Sequence, residues 1–495
     1  MTESSNRNLE TAADADKLRR VAIDPVSRVE GHGKVTLLLD ENNRVHQARL
    51  HIVEFRGFER FIQGRPYWEV PVMVQRLCGI CPVSHHLAAS KALDGVVGAG
   101  TIPPTAEKLR RLMHYGQILQ SHALHFFHLS SPDLLFGFDS ETTRRNIAGL
   151  ASAHPELAKQ GVLLRRFGQE VIRVTSGKRI HGTGAIPGGM NKALSMDERE
   201  GLLAELPQIL AWSRNAVDLI RKLHESDPAL YDRFGLFRSG MLSLVGAQGE
   251  LDLYNGTLRA RDADGRILLD GILPEHYGTH IQEEVRPWSY MKFPFLKQFG
   301  PESGWYKVGP LARIQNCDFI STPLAEQARM EFMAYRNGAI RHEPLAYHWA
   351  RMIELLHAVE VIQQLLSGDD ILGTDLIAHG ERQREGVGII EAPRGTLIHH
   401  YRVDDNDLIS MCNLIVSTTH NNQAMNEAIR RVALDYLDGR EITEGLLNRI
   451  EVAIRAFDPC LSCATHALGK MPLEVELVDV EGRQVSSLYR DAAAA

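Results

Sequence analysis

The sequence of 495 residues predicts a mainly α-helical fold with small antiparallel β elements, which places it in the α+β class. Apolar residues recur at helical spacing over several long segments, whereas only two short regions have the pattern of a β-hairpin. The composition, 44% hydrophobic and 24% charged, is typical of a globular protein. A chain of this length can bury a large core, so it needs no disulfides to fold.

The longest helical pattern extends from Leu109 to Leu129 and has a wide apolar face. A second pattern of the same kind extends from Trp349 to Val359. Further helices are predicted at 197–224, 423–436 and 443–456. The first pattern contains His114, His122, His125 and His128. A metal site could use these histidines, but interior or interface positions are the commoner explanation, and we expect those.

Two β-hairpins are predicted. The first spans 34–53 with turn residues at 40–43, and the second spans 251–272 with a turn at 262–265. The Gly-rich stretch 182–189 does not match Gly-x-Gly-x-x-Gly, and its Pro187 would fit badly in the helix which that motif opens. We therefore expect a structural turn there and no nucleotide site.

Charge and hydropathy exclude two classes of partner. The formal net charge is -7, and no basic stripe with interleaved aromatic residues occurs, so nucleic-acid binding has no support. No apolar run approaches the roughly 18 residues that a membrane-spanning helix needs. Residues 1–18 are predicted to be a disordered tail without a signal sequence, and we expect a cytoplasmic protein.

Four of the six cysteines form two Cys-x-x-Cys pairs, and such pairs suggest metal or redox chemistry. The pairs are Cys78–Cys81 and Cys460–Cys463, with 378 residues between them (82–459). Four thiolates can hold a structural zinc ion, although zinc modules usually place their pairs within a few tens of residues. Spacing alone leaves zinc and a catalytic metal equally plausible. The remaining two, Cys317 and Cys412, are expected to be buried small apolar residues.

The residues beside the two pairs favour catalysis. Arg76, His85, Asp458 and His466 are more charged and titratable neighbours than a structural zinc ion requires. A catalytic metal, by contrast, needs an open position with acid–base groups beside it.

Both pairs, with these neighbours, resemble the two signature segments of nickel–iron hydrogenase large subunits. Three further segments agree with that family in the same order along the chain. The five segments are Asp24-Pro-Val-Ser-Arg28-Val-Glu30-Gly-His32, Phe55-Arg56-Gly-Phe-Glu59, Arg76-Leu-Cys78-Gly-Ile-Cys81-Pro-Val-Ser-His85, Glu391-Ala-Pro-Arg394-Gly and Asp458-Pro-Cys460-Leu-Ser-Cys463-Ala-Thr-His466.

The resemblance implies the nickel–iron hydrogenase large-subunit fold around a long helical bundle, with 19–466 as one catalytic unit. It implies that Cys78, Cys81, Cys460 and Cys463 bind nickel. Cys81 and Cys463 would also bridge to an iron that carries carbon monoxide and two cyanides. The implied reaction is the reversible heterolytic cleavage of dihydrogen to protons and electrons.

The resemblance also implies residue roles around the metal. Glu30 would exchange protons with a nickel-bound cysteine, a role that a carboxylate with a raised pKa can perform. Arg394 would extend over the open metal position, and Asp458 would hold it, with Asp133 as a candidate second partner. Without the resemblance, Glu30 would be interpreted as a surface charge paired with Arg28, and Arg394 as a turn residue.

Two further roles follow from the same resemblance. His85 would hydrogen-bond a bridging cysteine. Glu59 and His466 would bind a magnesium ion, although an imidazole is an unusual ligand for such a hard ion. By its neighbours alone, Glu59 would be interpreted as part of a solvated charge cluster.

The wording around Cys81 is most similar to the soluble bidirectional NAD-reducing group. The chain has no dinucleotide motif and no cysteines for an iron–sulfur relay. The resemblance therefore implies a small subunit with iron–sulfur clusters and a diaphorase pair that binds flavin and NAD. The alternatives are a hydrogenase with another electron acceptor, a hydrogen sensor, a respiratory-complex relative without the cysteines and, least favoured, a structural zinc protein.

Residues 467–495 follow the second signature segment, and the family usually removes such an extension during maturation. A maturation endopeptidase and nickel-insertion proteins are therefore implied as partners. The alternating stretch 473–480 is predicted to form a strand or hairpin in the precursor. If the extension keeps the nickel pocket open, its removal should follow metal insertion.

Overall fold

The structure is a computed structural model that describes residues 12, 14, 17–54, 57–464, 473–478 and 484–490. The predicted metal ligand His466 and most of the predicted tail 1–18 lie outside these residues. Within the described ranges, no helix combines the length and the apolar character that crossing a membrane requires.

Helices make up most of the regular structure, as the sequence predicted. They are α1 (Phe58–Ile62), α2 (Val70–Met73), α3 (Pro82–Val96), α4 (Pro104–Leu124), α5 (Ser131–Phe136), α6 (Ile147–Ala153), α7 (Pro155–Ser176), α8 (Met196–Ser226), α9 (Pro228–Tyr231), α10 (Tyr277–His280), α11 (Gly300–Ser303), α12 (Pro310–Asn316), α13 (Pro323–Ala334), α14 (Ala346–Ser367), α15 (Ser417–His420), α16 (Asn422–Val432) and α17 (Glu444–Ala456).

The five predicted helices are all confirmed, as α4, α14, α8, α16 and α17. Two of them end in π-helical turns, at His125–Ser130 after α4 and at Ala433–Leu437 after α16. The pattern that predicted one helix to Leu129 thus continues through a change of helical pitch. The apolar periodicity could not reveal this change, because a single π turn alters the spacing by only one residue.

The strands are short and form small sheets. They are β1 (Arg19–Ile23), β2 (Gly33–Leu39), β3 (Val45–Ile52), β4 (Ala185–Ile186), β5 (Gly189–Met190), β6 (Gly240–Val245), β7 (Thr257–Arg261), β8 (Ile267–Ile272), β9 (Ile281–Glu284), β10 (Phe293–Leu296), β11 (Tyr306–Lys307), β12 (Glu385–Ala392), β13 (Gly395–Val403), β14 (Ile409–Ile415), β15 (Leu473–Val478) and β16 (Gln484–Arg490).

The sheets have the orders β1-β2-β3, β9-β10, β11-β6-β7-β8, β12-β13-β14, β15-β16 and β4-β5. All their pairs are antiparallel except β11 with β6. The hairpin predicted at 34–53 is confirmed as β2 and β3. The hairpin predicted at 251–272 is confirmed only from Thr257, because the residues before it form a turn. The Gly-rich stretch is the predicted turn, between β4 and β5.

A bundle of four long helices forms the scaffold. Helix α4 packs against α7 and α14, and α8 packs against the same two helices. Helix α3 lies against β12 and β13. Because α3 begins directly after Cys81 and β13 begins directly after Arg394, this packing brings the first cysteine pair close to the arginine.

The buried histidines of α4 support the scaffold and not a metal. His114 donates to backbone carbonyls of Leu253 and Glu391, and His122 contacts a carboxylate oxygen of Glu354 at 2.9 Å. Burial lowers the pKa of both imidazoles to about 4, so they are neutral near pH 7. The expectation of interior histidines is confirmed for these two.

Close contact between α4 and α7 depends on glycine. A Cβ added at Gly168 would lie 2.6 Å from the carbonyl oxygen of Gly116 and 2.8 Å from the amide nitrogen of Gln120. Both neighbours are backbone atoms of the facing helix and cannot move away alone. We therefore expect Gly168→Ala to destabilise the protein by about 1–3 kcal/mol, the usual cost of overpacking.

Gly201 on α8 provides the matched control, because a Cβ added there meets nothing within 4 Å. Gly201→Ala should leave the thermal unfolding midpoint unchanged or raise it, since alanine favours a helix by about 1 kcal/mol. Thermal denaturation followed by circular dichroism compares the two variants. Equal midpoints would show that the α4–α7 contact tolerates a larger side chain.

Candidate metal centre

The four cysteines of the two pairs form one buried cluster. The ligand atoms of Cys78, Cys81, Cys460 and Cys463 all lie within 4.8 Å of one another. The Sγ atoms are 3.2 Å apart between Cys78 and Cys460, and 3.8 Å apart between Cys81 and Cys463. All four thiols are free of disulfides. Within the described residues, no other group of histidine, cysteine and acidic side chains has the geometry to hold a metal ion.

The first pair lies at a sharp change of chain direction. A 3₁₀ turn (Val74–Leu77) ends at Cys78, and Cys81 directly precedes Pro82, the first residue of α3. The backbone amides of Ile80 and Cys81 point at Cys78 Sγ, at 3.2 and 3.4 Å. These donors favour a thiolate at that sulfur.

The second pair lies in a turn that follows α17, and the N-terminal segment holds this turn. Glu30 pairs with Cys460 in an isolated parallel bridge, and its carbonyl accepts from the amide of Leu461 at 2.9 Å. Gly31 has a φ of +81°, and a Cβ there would lie 2.7 Å from the amide nitrogen of Ser462. The two ends of the catalytic segment therefore meet because glycine allows this close approach.

Protonation within the metal-free cluster is unequal. Hydrogen bonds from Cys460, Cys463 and Cys81 hold the pKa of the Cys78 thiol well below its usual range. Burial raises the pKa of Cys460 and Cys463 well above it. The site thus favours a single negative charge until a cation arrives, and a bound metal ion would deprotonate the remaining thiols.

Glu30 lies directly beside the cluster. Its Oε2 accepts from Cys460 Sγ at 3.0 Å and from the amide of Ser462 at 3.1 Å. Burial, followed by the charge of Cys78, raises the pKa of this carboxyl, whereas the hydrogen bonds lower it. A carboxyl with a raised pKa in contact with a thiol can exchange a proton with it.

Arg394 occupies the tight turn between β12 and β13 and is 3% exposed. Its Nε donates to the carbonyl of Asp458 at 2.5 Å, and its Nη2 donates to Asp458 Oδ1 at 3.0 Å. Burial alone would lower the pKa of this guanidinium, but Asp458 and the cysteines outweigh it and raise the pKa. The turn interpretation of Arg394 and the resemblance therefore agree, since the turn aims a cation at the cluster.

One nitrogen of this guanidinium has no partner in the described structure. Arg394 Nη1 is buried and makes no hydrogen bond to a described residue. It lines a narrow cavity together with Cys81, His85 and Cys460. The other walls are partly apolar and partly hydroxylic, formed by Ser84, Ala392, Pro393, Leu397, Val416, Ser417 and Thr418. A cavity with an orphaned donor beside four thiols fits a metal-bound anionic or polar ligand.

His85, on α3, contacts the second cysteine pair. Its Nε2 lies 3.4 Å from Cys463 Sγ, and its Nδ1 lies 3.1 Å from His399 Nε2. Both imidazoles are about 1% exposed or less. The structure thus places His85 beside the cysteine that the resemblance indicated.

Asp133 does not contact Arg394 in the described structure. Its carboxylate accepts from Arg28 Nη2 at 2.6 Å and from Arg455 Nη1 at 2.8 Å. These contacts give no support to a second arginine-holding role. They also replace the surface pairing considered for Arg28 and Glu30, because Arg28 is bound to a different carboxylate.

Glu59 is buried, at 3% exposure, and its Oε1 accepts from the amide of Leu414 at 2.7 Å. It is therefore not part of a solvated charge cluster. His466, the other predicted magnesium ligand, lies outside the described residues. Cys317 and Cys412 are buried and separate from the cluster, as expected.

Sequence reasoning missed several polar neighbours. Ser462 lies inside the second motif, and its Oγ donates to Glu54 at 3.1 Å. Thr418 Oγ1 accepts from the amide of Cys460 at 2.9 Å. His399 could have been noticed from the alternation of β13, which buries every second residue after Arg394. No sequence signal linked Thr418 or Glu54 to the cluster.

Family models match most of the chain. A nickel-dependent hydrogenase model matches residues 56–137 and 261–466, and a HoxL-like model matches residues 20–55. Among curated relatives, the NAD-reducing hydrogenase HoxS subunit beta of Cupriavidus necator is 48% identical over 95% of this chain and 100% of that protein. A subunit of the F420-non-reducing hydrogenase vhc from Methanococcus voltae is 40% identical over 92% of this chain and 96% of that protein.

Solved structures agree with this fold. A crystal structure of an NAD+-reducing [NiFe]-hydrogenase in the H2-reduced state has a TM-score of 0.89 and 60% identity, covering 90% of this chain and 99% of that one. The Ni-Fe-Se hydrogenase of Desulfovibrio vulgaris Hildenborough has a TM-score of 0.73 at 23% identity, covering 91% and 100%. At that identity the second likeness supports the fold alone.

Proposed function

Since the chain belongs to the nickel-dependent hydrogenase family, as the catalytic subunit of a nickel–iron enzyme, we propose that its cysteine cluster binds the nickel ion. Cys81 and Cys463 would also bridge to an iron that carries carbon monoxide and two cyanides. The observation that supports this most strongly is the convergence of four buried thiols from both ends of the chain.

The cavity beside the cluster supports the proposed diatomic ligands. Arg394 Nη1 is a buried donor without a described acceptor, and cyanide is an anionic acceptor. Leu397 and Val416 provide an apolar wall that suits carbon monoxide. The composition of the walls thus matches one apolar and two polar ligands.

When bound, the nickel–iron centre supplies the open coordination position for heterolysis of dihydrogen and takes up the two electrons. The protein supplies a fixed charge and a proton acceptor. Asp458 holds Arg394 by two hydrogen bonds, so the guanidinium remains oriented toward the cavity. A preorganised cation there stabilises negative charge that develops during cleavage, without reorganisation.

Glu30 would receive the proton from Cys460 Sγ, which lies 3.0 Å from its Oε2. The side chain of Ser462 hydrogen-bonds Glu30 and reaches Glu54 at 3.1 Å. Glu54 in turn contacts His32, whose side chain is 67% exposed. We propose that protons leave through this row of hydrogen-bonded groups, from the buried thiol to the solvent.

A magnesium ion and a maturation step complete the proposal. Buried Glu59 and His466 would bind magnesium, since a carboxylate is a natural ligand for this hard ion. A maturation endopeptidase would remove 467–495 after nickel-insertion proteins had loaded the site. Strands β15 and β16 pair within this extension, which agrees with the predicted strand.

Electrons must leave through another polypeptide. All six cysteines are described, and the two outside the cluster are isolated, so no iron–sulfur site can be assembled from them. We propose an iron–sulfur small subunit and, from the relatives named as NAD-reducing, a flavin-containing diaphorase that reduces NAD. The assembly would work in the cytoplasm.

Exposed apolar residues next to the first cysteine pair suit such a partner. Phe61 and Trp68 are 51% and 53% exposed, and Val72 is 38% exposed. Large apolar side chains are common at the centre of protein interfaces. A partner bound there would lie close to Cys78 along the chain.

The proposed proton route predicts the behaviour of Glu30→Gln. The amide cannot carry the transferred proton, so hydrogen-dependent dye reduction should fall by about 10²–10⁴-fold, the usual contribution of a positioned proton-transfer group. Nickel and iron contents should stay unchanged, because Glu30 is not proposed as a ligand. The assay uses the complete complex, with both metals quantified by mass spectrometry.

Glu69→Gln is the control, because Glu69 is an exposed carboxylate in the described surface. This variant should retain wild-type activity. Full activity in Glu30→Gln would remove Glu30 from the proton route. Loss of nickel together with activity would instead assign it a structural role in the cluster.

The electron acceptor is tested by reconstitution. The native complex should reduce NAD with hydrogen as the sole electron donor, whereas the isolated chain should reduce neither NAD nor a dye coupled through iron–sulfur clusters. Reduction of an artificial dye without NAD reduction by the complete complex would assign a different acceptor. Zinc in the cluster, with no hydrogen-dependent reduction, would contradict the hydrogenase proposal.

A further inference from the structure

A row of three buried hydrogen-bonding side chains ends at the bridging cysteine. The hydroxyl of Tyr401 lies 2.6 Å from His399 Nδ1, and His399 Nε2 lies 3.1 Å from His85 Nδ1. His85 Nε2 then lies 3.4 Å from Cys463 Sγ. His399 and Tyr401 are two residues apart on β13, so they share the face that packs on α3.

The two ends of this row have fixed hydrogen-bonding roles. A metal-bound cysteine is a thiolate, so Cys463 can only accept. At the other end, Tyr401 is fully buried, and burial, with Cys412 and Glu59 nearby, raises the pKa of its hydroxyl well above the usual range. The phenol therefore keeps its proton and has one to donate.

A neutral imidazole carries a single N–H, so the ends determine the tautomers between them. Tyr401 donates to Nδ1 of His399, which leaves the proton of His399 on Nε2. That N–H donates to Nδ1 of His85, which leaves the proton of His85 on Nε2. His85 therefore presents an N–H to the sulfur of Cys463.

The opposite direction is unfavourable at both ends. It would make His85 Nε2 an acceptor facing the electron pairs of a thiolate. It would also leave the phenolic proton of Tyr401 with no acceptor among the described residues. An unsatisfied buried donor costs about 1–3 kcal/mol, so one such loss already decides the direction.

We propose that Tyr401 is a positioning residue whose hydroxyl, acting through His399, fixes the tautomer in which His85 donates a hydrogen bond to Cys463. The proposal rests on the nickel–iron function proposed above. Tyr401 touches neither the cluster nor the cavity in the described structure, and its effect is carried by two imidazoles. Hydrogen bonds to coordinating sulfur atoms tune the electron density and reduction potential of a metal site.

The test replaces Tyr401 with phenylalanine in the complete complex. Removing the hydroxyl frees His399 to place its proton on Nδ1, and the bond to Cys463 then weakens. The thiolate and iron become richer in electrons, so the carbon monoxide infrared band should shift to lower wavenumber, with nickel and iron contents retained. The potential at which the site is half reduced should fall in parallel.

Tyr306→Phe is the matched control. Tyr306 is equally buried and its hydroxyl lies 2.8 Å from His420 Nδ1, but no described hydrogen bond links that pair to the cysteines. It should leave the infrared bands unshifted. Unshifted bands in Tyr401→Phe, or equal shifts in both variants, would overturn the proposal.

Neutron diffraction from deuterated crystals of the complex gives an independent measurement of the same direction. Deuterium on Nε2 of both His399 and His85 is expected. Deuterium on Nδ1 of His399 would overturn the proposal. If the wild-type complex shows no carbon monoxide or cyanide bands, the nickel–iron function fails, and the deuterium positions then decide the hydrogen-bond direction alone.

Discussion

The convergence of two cysteine pairs from opposite ends of the chain is the constraint on which the rest of the structure depends. Four thiols within 4.8 Å require that the N-terminal segment and the turn after α17 meet at the start of α3. The bridge from Glu30 to Cys460 and the small Gly31 make this contact possible. The helical bundle holds α3 and β13 in place around it, so the site forms only when the whole catalytic segment is folded.

Burial of the cluster creates a second requirement, because charges far from water need partners. The cysteines favour one negative charge before metal binding, and the cation of Arg394 lies close enough to compensate it. Asp458 balances that cation in turn. Buried charge pairs of this kind contribute little net stability, yet removing one partner is costly. Their value lies in orientation, since each fixed group leaves another aimed at the cavity.

Local patterns in the sequence predicted the long helices, the first hairpin and the isolated buried cysteines. The resemblance of five segments indicated the cluster, Arg394 with Asp458, and His85 near a cysteine, all of which the structure brings together. The position of Asp133 was not predictable, because its partners Arg28 and Arg455 come from distant segments. The row from Tyr401 to His85 likewise required the packing of β13 on α3, which no single segment encodes.

The most direct measurement is anomalous X-ray diffraction from crystals of the native complex, recorded at the nickel, iron and zinc absorption edges. We expect a nickel peak within coordination distance of the Sγ atoms of Cys78, Cys81, Cys460 and Cys463, with an iron peak beside Cys81 and Cys463. A zinc peak alone at the cluster, or nickel bound elsewhere, would contradict the proposal that these four cysteines hold a nickel–iron centre.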